Sequence, residues 1–314
     1  MRAAGCLLAV ALAWVSIAAQ AGALPAWAAS APTATILVDE AAGNVEPMAV
    51  AWFLPAGAGP FPVVVFSHGR EPSAAARATV TLGVSHVQVL FWLARGVAVV
   101  SPLRPGYGAN AGDDVEDAGV HFDRAGRCVG RPEFRKTADA AARSVDATLQ
   151  WLARQPWADA ANVLLVGQSV GGLATVAAGA HAPPGVAGYI NFAGGTGGNP
   201  ERSPGRSCDV GQLETLYADY GRSTVLPNLW LYALNDQFWG ADEPRGWHAA
   251  FARGGSPTTF VQAPAVADGD GHGLSRHASA LWGPAVDAFL ARLGAPWNSA
   301  TLPRPVLRLD ASEP

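Results

Sequence analysis

Lysine is almost missing from this chain: of its 21 basic residues only Lys136 is a lysine, the other 20 being arginine, a compositional bias with no mechanism attached. Charge of either sign is scarce, at 15% of residues with a formal net of −4, so there is no electrostatic footprint for nucleic acid. There are 3 cysteines, and neither they nor the 7 histidines cluster at metal-ligand spacing, so no metal and no cofactor are expected. No internal repeat and no Gly-X-Y period appear. With 36 glycines and 24 prolines the chain stays below the share that marks low-complexity sequence. What is present is apolar: 50% of 314 residues are hydrophobic, enough for a large core and too much for a disordered chain.

The odd cysteine is explained by the N-terminus. Arg2 precedes an apolar run over residues 7–17, and Ala26-Trp27-Ala28 fits the small-residue rule for cleavage before Ala29. Residues 1–28 therefore read as a secretory signal peptide. The run is too short for a spanning helix and is followed by Gln20 and Pro25, so no stable membrane anchor is expected. Cleavage would remove Cys6 and leave Cys128 and Cys208 in an oxidising compartment, secreted or periplasmic, where two cysteines tend to pair.

Along residues 29–296, short β-rich runs alternate with helical patterns. Residues 34–38 and 50–54 read as strands, and residues 63–66, 97–100, 163–166 and 186–192 as buried ones. Strands over 229–234 and 258–261 follow. Helices are expected over 74–94, 137–154, 170–180, around 212–220 and 247–252, and over 278–293, the last kinked at Pro284. Residues 102–132 form a long loop of the kind that carries function, and residues 194–227 a lid-like insertion after the sixth strand. Residues 297–314 read as a poorly ordered tail. The alternation predicts an α/β fold with a mostly parallel central sheet flanked by helices.

Chemistry concentrates at the expected C-terminal ends of strands. Gly167-Gln168-Ser169-Val170-Gly171 lies between an apolar strand and a helix of small residues, the context of a nucleophile elbow. A serine needs a base, and His272, on a glycine-rich loop after the last strand, is the candidate, with His277 the nearest rival. Asp236 directly follows a buried strand and lies between nucleophile and base in the chain. It is the expected partner of the imidazole, ahead of Asp242 and Glu243, whereas Asp270 is too close to His272 in sequence to reach its ring. Ser67-His68-Gly69-Arg70 after the strand at 63–66 supplies one oxyanion N–H, from Gly69 or Arg70 with Arg70 favoured, and Val170 supplies the other.

These motifs, together with Arg104-Pro105-Gly106-Tyr107-Gly108 and Asp270-Gly271-His272-Gly273, resemble those of the α/β-hydrolase superfamily over nearly the whole mature chain, within it the dienelactone-hydrolase-like group. True dienelactone hydrolases use a cysteine nucleophile. The resemblance with Ser169 in that place implies an α/β-hydrolase fold and a serine esterase acting on a small-molecule or polymeric ester. A peptidase or aminopeptidase on the same fold, and a ligand-binding protein that has kept the fold without catalysis, are the alternatives. Cys128 and Cys208 lie in loops that leave the same sheet edge, so a disulfide between them would tie two segments over the site. Phe238, Trp239 and Trp247, after the acid loop, are candidate pocket residues.

Overall fold

The computed structural model describes Ala28 and residues 31–40, 43–267, 269–277 and 279–298. The cleavage site, the segment before it and the chain from residue 299 lie outside the described residues, except Ala28. From Pro32 onward the elements run β1 (Thr33–Asp39), β2 (Val45–Phe53), β3 (Phe61–Ser67), α1 (Ala74–Thr79), α2 (His86–Leu93), β4 (Ala98–Leu103), β5 (His121–Phe122) and β6 (Cys128–Val129). Then come α3 (Phe134–Leu152), β7 (Ala158–Gln168), α4 (Val170–Gly179), β8 (Val186–Phe192), β9 (Gly198–Asn199) and β10 (Ser203–Ser207). The chain continues through α5 (Val210–Ser223), β11 (Asn228–Ala233), α6 (Glu243–Ala252), β12 (Thr258–Ala263) and α7 (Gly283–Leu293).

Eight strands form one sheet in the order β1-β2-β4-β3-β7-β8-β11-β12. Only β2 breaks the direction, pairing antiparallel with both β1 and β4, while the pairs from β4 to β12 are parallel. Parallel strands need covered faces, and the residue alternation shows both are covered. Val63, Val65, Ala98, Val100, Val163 and Leu165 join the core with α3 to α6, among them Ala138, Leu173, Leu213 and Trp247. The opposite face holds Phe91, Phe192 and Trp282, whose rings meet edge-to-face or tilted at 4.5–5.3 Å. The parallel strands all end at the same edge, so the loops after β3, β4, β7, β8, β11 and β12 gather there.

Several expectations need correction. The helix expected over 74–94 is two helices, α1 and α2, because the β-branched stretch at residues 79–81 breaks it and Gly83 packs against His68: a Cβ there would lie 2.8 Å from His68 Cδ2. Pro284 does not kink α7. It sits in the first turn, where its missing N–H costs nothing. The loop over 102–132 carries the β5–β6 hairpin, and the insertion after β8 carries the β9–β10 pair as well as α5. Trp297, assigned to the loose tail, is a buried side chain.

Candidate active site

Ser169 lies between β7 and α4 with φ 58° and ψ −125°, backbone angles that strain a residue with a Cβ. The glycines on either side make the turn possible. A Cβ on Gly167 would stand 2.0 Å from the Gly171 carbonyl oxygen, and one on Gly171 would stand 2.0 Å from that of Ser67. Both positions must be bare for β3, β7 and α4 to approach so closely.

The Ser169 hydroxyl donates to Nε2 of His272 at 3.0 Å, and Nδ1 of His272 donates to Asp236 Oδ2 at 3.1 Å. The carboxylate can only accept, so it sets the ring with its proton on Nδ1 and its lone pair toward the serine. Asp236 is itself held: Oδ1 accepts the N–H of Phe238 at 2.8 Å and of Trp239 at 3.1 Å. His272 and Asp236 are buried, 6% and 2% exposed, so these bonds act in a poorly solvated setting. The Phe238 ring stacks on the imidazole with centroids 4.0 Å apart, and Trp239 meets it edge-on at 5.4 Å.

The loop carrying His272 is fixed from two sides. Asp270 Oδ1 accepts the His272 N–H at 2.8 Å and the Gln237 N–H at 2.8 Å, which ties the base loop to the acid loop. Gln168 Nε2 donates to the His272 carbonyl at 3.0 Å. Asp270 thus acts on the backbone rather than the ring, and Gln168, a variable position in the Gly-x-Ser-x-Gly motif, holds the His272 backbone. The sequence carried no signal for that second role. His277 lines the cleft but makes none of the bonds above. Asp242 and Glu243 stand at the start of α6, where Glu243 Oε2 accepts the Ser207 N–H at 2.9 Å.

Gly69 packs on the serine: a Cβ there would lie 3.3 Å from Ser169 Cβ. Neither the Arg70 nor the Val170 backbone N–H donates a hydrogen bond to another group among the described residues. The Gly69 carbonyl accepts from His68 Nδ1 at 2.7 Å and from Arg104 Nη2 at 3.3 Å. In a planar trans peptide the N–H of Arg70 points opposite to that carbonyl, so these two donors aim it. The Arg104 guanidinium, itself fully buried, also donates to Ser67 Oγ at 3.1 Å and to the His68 carbonyl, and pairs with the buried carboxylate of Glu116. Burial first, then the Arg104 charge, holds the His68 imidazole well below its ordinary pKa, against the opposing bond to Gly69. The Arg70 side chain turns to Asp114, at 2.5 Å. Tyr107 accepts the Glu71 N–H at 2.9 Å, and burial pushes its phenol up to about 12.

Two compartments meet at Ser169, of about 590 and 380 Å³. Phe238 lines both, and Trp239 lines the smaller. Trp247 does not belong to either. It is fully buried in the core, with its ring against Trp239 and Tyr217, because α6 packs it inward. Cys128 and Cys208 form a disulfide with Cα atoms 4.9 Å apart. Among the described residues, no group of three His, Cys, Asp or Glu side chains could hold a metal, and no helix is long and apolar enough to cross a membrane.

No protein-family model and no curated protein matches the sequence. Solved structures do resemble the fold. An esterase of Pyrococcus furiosus superposes with a TM-score of 0.55 at 15% identity, over 87% of this chain and 97% of its own. A protein of Klebsiella pneumoniae subsp. pneumoniae assigned as a dienelactone hydrolase gives 0.51 at 16%, over 82% and 98%. A puromycin-hydrolysing peptidase of Mycobacterium tuberculosis gives 0.54 at 17%, over 89% of this chain but only 40% of its own length. The fold is that of the α/β-hydrolases. Within this fold Ser169 follows β7, Asp236 follows β11 and His272 follows β12, so the three stand at one sheet edge in the chain order Ser, Asp, His.

Proposed function

We propose that the chain is an exported serine hydrolase that cleaves carboxylic esters through an acyl-enzyme on Ser169. One observation carries the reading: a serine on a strained elbow, an imidazole and a buried carboxylate lie in hydrogen-bond series, at 3.0 and 3.1 Å. In this reading Ser169 Oγ attacks the ester carbonyl as its proton passes to Nε2 of His272. Asp236 stabilises the resulting cation. The N–H groups of Val170 and Arg70 receive the oxyanion. Collapse breaks the bond to the alcohol, which leaves with the proton from Nε2. A water then gives its proton to His272, attacks the acyl carbon and releases Ser169. Export rests on the signal-peptide pattern of residues 1–28 and suits a chain with a disulfide.

The test is a panel of p-nitrophenyl esters and aminoacyl anilides with the purified protein and its Ser169→Ala variant. Ester turnover that vanishes in the variant, with fluorophosphonate labelling lost in parallel, supports the reading. Equal turnover in both proteins sinks it. An amide-cleaving enzyme is the second reading, because Glu71 lines the cleft beside Ser169 and a carboxylate there could hold a substrate amine. Preference for the anilides would select it.

A further inference from the structure

The two compartments share only Arg70, Glu71, Ser169 and Phe238. The larger runs over His272, between residues 82–85 and residues 269–277. The smaller is lined instead by Val170, Trp239 and residues 195–201, and His272 is not part of its lining. Resting on the esterase reading, we propose that the alcohol of the substrate occupies the larger compartment and the acyl chain the smaller, and that the Cys128–Cys208 disulfide limits the acyl chain to a short one.

Proton accounting assigns the sides. When the tetrahedral intermediate collapses, the carbon–oxygen bond to the alcohol breaks and its electron pair stays on that oxygen, which takes the proton from Nε2 of His272. That oxygen must therefore lie within hydrogen-bond reach of Nε2, on the His272 side. The nucleophile and the oxyanion donors fix two further positions around the carbon. The acyl chain is left the direction away from His272, into the smaller compartment.

The disulfide controls the wall of that compartment. The Thr196 carbonyl accepts from Ser207 Oγ at 2.9 Å, and the Gly197 carbonyl accepts from the Cys208 N–H at 2.8 Å. Cys208 is bonded to Cys128 on the hairpin after β4, so the segment that holds the wall by these hydrogen bonds is itself covalently tied. The wall cannot yield inward either. A Cβ on Gly198 would stand 2.6 Å from Trp239 Cζ3, and the Trp239 indole is pinned by its N–H to the Ala193 carbonyl at 2.8 Å. A wall held on both sides gives a fixed length.

Two substrate series separate the sides: one varies the acyl chain on p-nitrophenol, the other varies the alcohol on acetate. Glu201 is exposed at the mouth of the smaller compartment, and Leu82 lines the larger. Glu201→Trp is expected to lower the long-to-short acyl ratio of kcat/KM about tenfold and leave the alcohol ranking in place. Leu82→Trp should do the reverse. The double variant Cys128→Ser/Cys208→Ser, or the enzyme reduced while folded, should raise the long-to-short ratio about tenfold. An alcohol ranking that follows Glu201→Trp, or an acyl ranking that follows Leu82→Trp, overturns the assignment of the sides. An acyl profile unmoved by both loss and reduction of the disulfide overturns its role. No Ser169-dependent turnover in either series would instead overturn the esterase reading beneath both.

Discussion

The backbone N–H of Arg104 donates to Nε2 of His68 at 3.2 Å, while Nδ1 of the same ring donates to the Gly69 carbonyl at 2.7 Å. The ring is thereby fixed as a neutral tautomer and acts as a spacer between β4 and the Ser67–Arg70 loop. Its effect on chemistry would pass through the Gly69–Arg70 peptide. Replacing His68 with Ala should lower kcat about tenfold and leave KM nearly unchanged, less than the loss of an oxyanion donor itself. Steady-state kinetics decide, and an unaltered kcat would remove His68 from the site.

Arg104 and Glu116 form a buried pair that is costly to break from one side. Arg104→Met leaves a carboxylate uncompensated in the interior and should destabilise the fold by about 3–5 kcal/mol in urea melts. Adding Glu116→Leu should recover part of that loss. A double variant no more stable than the single would show that the cost lies in the lost bonds to Ser67, His68 and Gly69 instead.

Stability should depend on pH with opposite signs at two sites. Below pH 6.5 the unfolded chain protonates His68 while the folded chain resists, so stability falls as pH drops through that value. Glu243 behaves inversely: burial raises its pKa from 4.5 to about 7, so the stability it contributes is present at pH 4.5 and is lost as pH rises to about 7. His68→Asn should flatten the acid side of the stability curve, and Glu243→Gln should flatten the fall between pH 4.5 and about 7. Parallel curves for variant and parent would contradict the assignment.

Asp236→Asn keeps an acceptor for the Phe238 and Trp239 amides, so the acid loop should fold as before. It removes the charge that sets the His272 tautomer. Turnover should fall by about 10⁴-fold with an unchanged melting temperature. Near-normal turnover would mean that Asp236 is a turn cap only.

Much of the scaffold was legible because parallel strands announce themselves. Residues 63–66 and 163–166 are continuous apolar runs, and both are central strands. The elbow was legible because its glycines answer a local steric demand. Ser169, Asp236 and His272 came together as their chain order implied. What escaped was set by contacts between distant segments. Gly83 breaks a helical pattern because it packs on His68, which no local periodicity records. Arg104 looked like part of a turn motif, and its partner Glu116 like one acid among several in a long loop. Trp247 followed the acid loop as Trp239 did, but one helical turn of α6 sends it into the core. The disulfide was legible for a different reason: with Cys6 assigned to the leader, only one pairing remained.

The disulfide also makes a closed covalent ring of the chain from Cys128 to Cys208, 80 positions apart. Ser169 is inside the ring, while Asp236, His272 and the Ser67–Arg70 loop are outside it. A single cut by a protease within the ring leaves its two fragments joined, and the nicked protein migrates as one chain until a reductant is added. A cut outside the ring, as between α6 and β12, has no such tether and frees the segment that bears the base. Against proteolysis, Ser169 is therefore carried on the stretch best protected from being lost by one scission.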